Sequence, residues 1–82
     1  MIRDLAVDLA ARRGIRLSNI SLIDGRQAGC LDADVLDLAT DDHIVSALVY
    51  QSDIFELRQK FSCVRLEERI GGALTRLESL ST

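Results

Sequence analysis

Asp41-Asp42-His43-Ile44-Val45-Ser46-Ala47-Leu48-Val49-Tyr50-Gln51-Ser52-Asp53-Ile54-Phe55-Glu56-Leu57 is the stretch whose reading decides the fold. It holds the densest apolar run in the chain, Ile44 to Tyr50, interrupted only by Ser46. As a helix from Asp41, it would place Ala47, Tyr50, Ile54 and Leu57 on one face and throw Val45 and Val49 to the far side, beside Glu56 and Lys60. As a strand, an apolar run of seven bounded by Asp41-Asp42 and Gln51-Ser52-Asp53 reads as a strand buried on both faces. Ile, Val and Tyr are β formers. The strand reading is preferred, and the helical one makes the protein an all-α hairpin or bundle.

Upstream, Asp41-Asp42 suits a two-residue hairpin turn between Leu36–Thr40 and His43–Tyr50, although it lacks the favoured glycine. Cys30 to Thr40 reads two ways. On a helix, Leu31, Val35, Leu38 and Ala39 share a face. On a strand, Leu31, Ala33 and Val35 alternate with Asp32 and Asp34, then Leu36 and Leu38 flank Asp37, with a phase slip at Val35-Leu36 that calls for a bulge. Aspartate in a strand is unfavourable, whereas a hairpin with the next segment requires the strand. Further upstream, Leu17 to Ile23 reads as a strand closed by an Asp24-Gly25 turn, and Arg26 to Gly29 as loop. Ile2 to Arg13 is an amphipathic helix through Ile2, Leu5, Ala6 and Leu9. Arg12 and Arg13 complement its dipole, and Gly14 ends it.

Downstream, Asp53 reads as an N-cap, with Glu56 three residues on, for a helix from Ile54. Ile54, Leu57, Phe61 and Val64 form one stripe. Leu66, Ile70, Ala73, Leu77 and Leu80 form a second, spaced 4, 3, 4, 3 like a coiled-coil seam. The two lie on different sides of the wheel. Either the helix breaks near Ser62, or it ends at Gly71-Gly72, or it is continuous and packs against its own sheet and then another chain.

With 82 residues the chain is read as one domain, residues 1–82. A domain this small buries only about 60% of the surface its unfolded chain exposes, so a second copy is an expected source of burial. Its only aromatic side chains are Tyr50, Phe55 and Phe61, so the core must be aliphatic. No apolar segment approaches the roughly 18 to 20 residues of a membrane span. The N-terminal residues lack the pattern of a secretory signal. These features predict a cytoplasmic protein with Cys30 and Cys63 reduced. Thirteen acids against ten bases argue against general nucleic-acid binding. The charge is two-ended: Asp24 to Glu56 holds eight acids and one base, whereas Leu57 to Thr82 holds five bases and three acids.

Five constellations are candidates for chemistry. Arg58, Arg65, Arg69 and Arg76, spaced 7, 4 and 7, align on a continuous helix as a docking stripe for an acidic protein or a phosphate backbone. The same residues read more simply as a solvated face between two apolar stripes, or as partners for the Asp-rich half within the chain or across a dimer. Asp32, Asp34, Asp37, Asp41 and Asp42, with His43, have metal-binding residue types, but no EF-hand glycine or distal Glu completes a loop. His43 beside two carboxylates has general-base character without a nucleophile in context. Cys30 and Cys63 lack any CxxC or paired histidine and read as inert thiols. Gly25-x-x-x-Gly29 is too sparse for a phosphate cradle.

The expected fold is α+β: an N-terminal helix, an antiparallel sheet of two or three strands, and a long C-terminal helix. Double-stranded RNA-binding domains share the order α-β-β-β-α, but their basic loop residues are missing and the acidic segment lies where RNA would approach. No family resemblance is drawn. The expected function is a non-enzymatic interaction module, an adaptor, chaperone-like subunit or small regulator, homodimeric through Leu66, Ile70, Ala73, Leu77 and Leu80. Self-association or another protein is the expected partner, with no membrane and no cofactor. Anion or nucleic-acid binding through the Arg stripe comes second, and a small metal-dependent enzyme around Asp32–His43 third.

Overall fold

Ile44 to Tyr50 is a strand. In the computed structural model, which describes residues 2–29 and 32–81, the elements run α1 (Ile2–Arg12), β1 (Asn19–Ile23), a 3-10 turn (Gly25–Ala28), β2 (Ala33–Ala39), β3 (Ile44–Tyr50), α2 (Gln51–Lys60) and α3 (Val64–Ser81). The fold is α+β, with a three-stranded antiparallel sheet in the order β1-β2-β3. The β2–β3 register runs from Ala33↔Tyr50 to Ala39↔Ile44 without interruption, so the bulge expected at Val35-Leu36 is not there. Instead the two residues take opposite faces of a regular strand, as the two-residue side-chain period requires. Asp41 and Asp42 form the hairpin turn. Thr40 N–H donates to the His43 carbonyl at 2.8 Å, and the Thr40 hydroxyl accepts from His43 N–H at 3.3 Å. That hydroxyl helps close a turn that has no glycine.

All three helices lie on one side of the sheet. Its covered face offers Ile20, Leu36, Leu38, Ala47 and Val49, which join Ala6 and Ala10 of α1, Leu57 of α2 and Leu66, Ile70, Ala73, Leu74 and Leu77 of α3 in one core cluster. This corrects the reading of the C-terminal seam. Leu66, Ile70, Ala73 and Leu77 are fully buried inside the protein's own core, and of the five seam residues only Leu80 is exposed. A 4-3 spacing defines an apolar stripe on any helix. Here the stripe meets the chain's own sheet rather than a second helix.

The long helix breaks at the first of the sites considered. α2 ends at Lys60, Phe61 takes a left-handed conformation (φ 58°), and α3 starts at Val64. α3 then runs unbroken through Gly71 and Gly72. A Cβ at position 71 would stand 3.3 Å from Arg13 Nη2, so the glycine lets the end of α1 approach α3. There Arg13 donates to Thr75 Oγ1 at 2.8 Å and pairs with Glu78 at 3.6 Å. α1 ends as the sequence suggests: Gly14 is left-handed (φ 72°), Ile15 N–H donates to Ala10 O, and Gly14 N–H donates to Ala11 O.

α2 begins three residues earlier than expected. Tyr50 is its N-cap, and Asp53 sits inside the first turn with its carboxylate accepting the Tyr50 N–H at 3.0 Å. The capping function of Asp53 is therefore reciprocal: it satisfies the cap residue's amide rather than opening the helix itself.

Candidate protein-interaction face

The helices leave the other face of the sheet uncovered. Following the register across the strands, that face carries Asn19–Ala39–Ile44, then Ser21–Asp37–Ser46, then Ile23–Val35–Leu48, and finally Ala33–Tyr50. The third row is an aliphatic ladder across all three strands. Leu48 is 38% exposed, Tyr50 39% and Ile44 61%, whereas Leu36, Leu38 and Val49 on the covered face are 1% or less. The sequence reading of β3 as buried on both faces is thus corrected: it is buried on one. Asp37 sits mid-face and accepts the Ser46 hydroxyl at 2.6 Å.

Three arginines cap carbonyls at the two edges of the sheet. The pairing of Thr40 with His43 fixes the alternation, so the backbone groups of Ser46 and Leu48 point away from β2. Arg76 donates to Ser46 O at 2.9 Å and Arg69 to Leu48 O at 3.0 Å. On the opposite edge Arg3 of α1 donates to Ile20 O at 3.0 Å. An edge strand with free carbonyls is a template for pairing with another chain. Arginines reaching around from the helical layer occupy these carbonyls, so the open face is more available than the edges.

This geometry also divides the arginine stripe. Arg58 is on α2, beyond the break, and lines a groove of about 500 Å³ with Ile2, Arg3, Ile20, Leu22 and Ile54 among its walls. Arg65 pairs with Glu56 at 3.3 Å, and Arg69 and Arg76 hold the β3 edge. The four do not form one surface, because the turn at Phe61 rotates α2 away from α3's register.

Arg69 is the centre of a polar cluster where β3, α2 and α3 meet. It forms an ion pair with Asp53, whose side chain is fully buried, and its guanidinium lies 4.8 Å from the centroid of the Tyr50 ring. The Cys63 thiol contacts Asp53 Oδ1 at 3.7 Å and Glu56 Oε2 at 3.5 Å. Burial by itself would raise the pKa of Asp53. The Arg69 hydrogen bond, the Tyr50 amide, the Arg69 charge and the Cys63 thiol outweigh it and hold the carboxyl below the usual range. Burial, with the two carboxylates alongside, pushes the Cys63 thiol up, so it stays protonated and unreactive. Cys63 is a free, buried cysteine, and Cys30 lies outside the described residues.

The acidic segment does not converge. Asp32 and Asp34 lie at one end of β2, and Asp41, Asp42 and His43 at the other, about 20 Å away at the rise of a strand. Asp34 accepts the Gly25 N–H at 3.1 Å and Asp37 is engaged by Ser46. Among the described residues no group of three or more His, Cys, Asp or Glu could hold a metal.

All three aromatic side chains lie on the surface, Phe55 at 67% and Phe61 at 89% exposed, together with Tyr50. Sequence reasoning took Phe61 for a stripe residue. Its exposure follows from the helix end that its own left-handed conformation makes. The sequence pattern did carry a signal for the open face: β2 and β3 place apolar residues on both sides, while the described helices cover only one of them.

No described helix is long and apolar enough to cross a membrane. Compared with known protein families, curated proteins and solved structures, the chain matches none.

Proposed function

We propose that the protein is a non-enzymatic protein-interaction module that docks a partner on the open face of its sheet. The observation that carries this is the Ile23–Val35–Leu48 ladder, an aliphatic row exposed at Leu48 and partly exposed at Ile23 and Val35, while every described helix packs on the opposite face. Apolar surface gains roughly 25 cal/mol per Å² when removed from water, so such a row favours a cover. Tyr50 at the margin adds the kind of side chain that anchors interfaces. The buried carboxylate Asp53 is consumed by structural partners, which supports a binding rather than a catalytic role.

The partner is a different protein. A two-fold axis through the face would bring Asp37 of one copy towards Asp37 of the other, and like charges in an interface are costly. The helical seam considered for a homodimer is internal. An adaptor or small regulator of a reducing compartment fits these features, with Cys63 kept as a buried thiol.

Site-specific photo-crosslinking in the producing cell tests the reading. A photoreactive residue at Leu48 is expected to give a discrete heterologous adduct. The same residue at Gln59, exposed on α2, is expected to give none. No adduct at position 48, or the same adducts at both positions, overturns the docking face. A dominant self-adduct at position 48 restores the homodimer and removes the heterologous partner.

A further inference from the structure

Taking the open face as the docking surface, we infer that it receives a basic amphipathic helix of the partner protein. The charges of the chain are sorted by layer. Residues 19–49, which build the sheet, contain six acids and one base. The flanking residues that build the helical layer, 2–18 and 50–81, contain nine bases and seven acids. The single base of the sheet layer, Arg26, is already paired with Asp24 at 3.0 Å. By the register only Asp37 of these acids lies on the open face, with Asp41 and Asp42 in the turn at one end of it, and no strand residue on that face is basic, so a partner bringing cations is drawn to it.

The layout of the carboxylates sets the shape of the occupant. Asp37 lies at the middle of the face, and exposed Asp41 and Asp42 stand at one end of it in the hairpin turn. β2 and β3 are seven residues long, about 20 Å at the rise of a strand. A helix of about 15 residues covers the same length at 1.5 Å per residue. Laid along the strands, it would cross the Ile23–Val35–Leu48 ladder, its aliphatic stripe resting on Val35 and on Ile44, Leu48 and Tyr50 along β3, with lysines or arginines reaching Asp37 in the middle and Asp41 and Asp42 at the turn end. A helix on this face also completes the layering, since a sheet with an apolar row on each side is satisfied by helices on both. An added strand is disfavoured because Arg3, Arg69 and Arg76 occupy edge carbonyls.

A fluorescein-labelled, 16-residue leucine/lysine peptide of helical periodicity is a suitable probe, read by fluorescence anisotropy and by amide chemical-shift mapping on the whole chain. Saturable binding is expected, with shifts concentrated in β1–β3. Val35→Thr with Leu48→Thr should weaken it about tenfold, and Asp37→Asn about threefold to tenfold, the scale of a lost apolar anchor and of a lost charge pair. A scrambled peptide of the same composition and a leucine/glutamate helix should each bind at least about tenfold more weakly. Circular dichroism of each variant checks that the fold is retained. Equal binding of the scrambled peptide, indifference to the Val35/Leu48 pair, or shifts confined to the helices would overturn the inference. A crosslinked partner at Leu48 together with no binding of the leucine/lysine peptide would reject the basic helix and leave the docking face standing. No adduct at Leu48 would reject both.

Discussion

Replacing Arg69 with methionine tests the junction of β3, α2 and α3. Methionine keeps the aliphatic stem and removes the cation. Asp53, 1% exposed, would then retain only the Tyr50 amide and the Cys63 thiol, and Leu48 O would lose its cap. Breaking a buried ion pair from one side costs about 3 to 5 kcal/mol. Arg69 itself is 30% exposed, so water can reach the carboxylate once it is gone. The lower end, about 3 kcal/mol, is the expected cost. That is a large share of the roughly 4 to 12 kcal/mol available to a domain of this length. The pH dependence gives a second handle. In the native protein the Asp53 pKa lies below its unfolded value despite burial, because Arg69 and the hydrogen bonds prevail. Its stabilisation is complete above the unfolded pKa, about 4, and is lost only as the pH falls through the lower folded value. In Arg69→Met burial prevails and the folded pKa rises above the unfolded one. The folded variant then binds a proton more tightly than its unfolded chain. Its deficit should therefore shrink by about 1 kcal/mol or more between about pH 7 and pH 4.5. Urea denaturation followed by far-UV circular dichroism at both pH values measures this. A deficit under about 1 kcal/mol, or one identical at both pH values, would refute the reasoning, and Asp53→Asn added to Arg69→Met should recover part of the loss.

Leu66→Ala, at a fully buried seam position of α3, should cost about 2 to 5 kcal/mol, whereas Leu80→Ala, at the exposed one, should cost less than about 0.5. Equal costs in urea titrations would contradict an intramolecular seam. Gly72→Ala should stabilise by about 0.5 to 1 kcal/mol, since nothing lies within 4 Å of its new Cβ, and should raise the melting temperature. Gly71→Ala should gain less, because Arg13 Nη2 stands at 3.3 Å; a reversed order would place α1 elsewhere. Phe61→Gly should stabilise by about 0.5 kcal/mol by relieving a left-handed phenylalanine whose ring is 89% exposed. A loss in thermal unfolding would mean that the ring packs in the free protein.

Much of the fold can be read from local pattern. Val45 and Val49 fit no single helical face with Ala47 and Tyr50, and that conflict alone turns the central stretch into a strand. Gly14 announces the end of α1 because only a left-handed residue closes that turn cheaply. The strand read over Leu17 to Ile23, which starts at Asn19 in the structure, and the Asp41-Asp42 turn follow in the same way. The site was less legible. Asp53 could be seen as part of a cap, but its partner Arg69 lies 16 residues away and meets it only because the chain reverses at Phe61. Phenylalanine there gives no glycine-like warning.

The sequence by itself determined the periods: which segments repeat every two residues, which every 3.6, and how acids and bases divide along the chain. These are local properties, set by backbone geometry and side-chain type. Only the tertiary structure decided what each apolar surface meets. The seam Leu66–Leu77 could serve a second helix or a sheet equally well, and it serves the protein's own sheet. The β3 run could be covered on both faces, and it is covered on one. Burial is a property of neighbours in space. The described helices α1, α2 and α3, all turned to the same side by their connections, leave Ile23, Val35 and Leu48 facing outward.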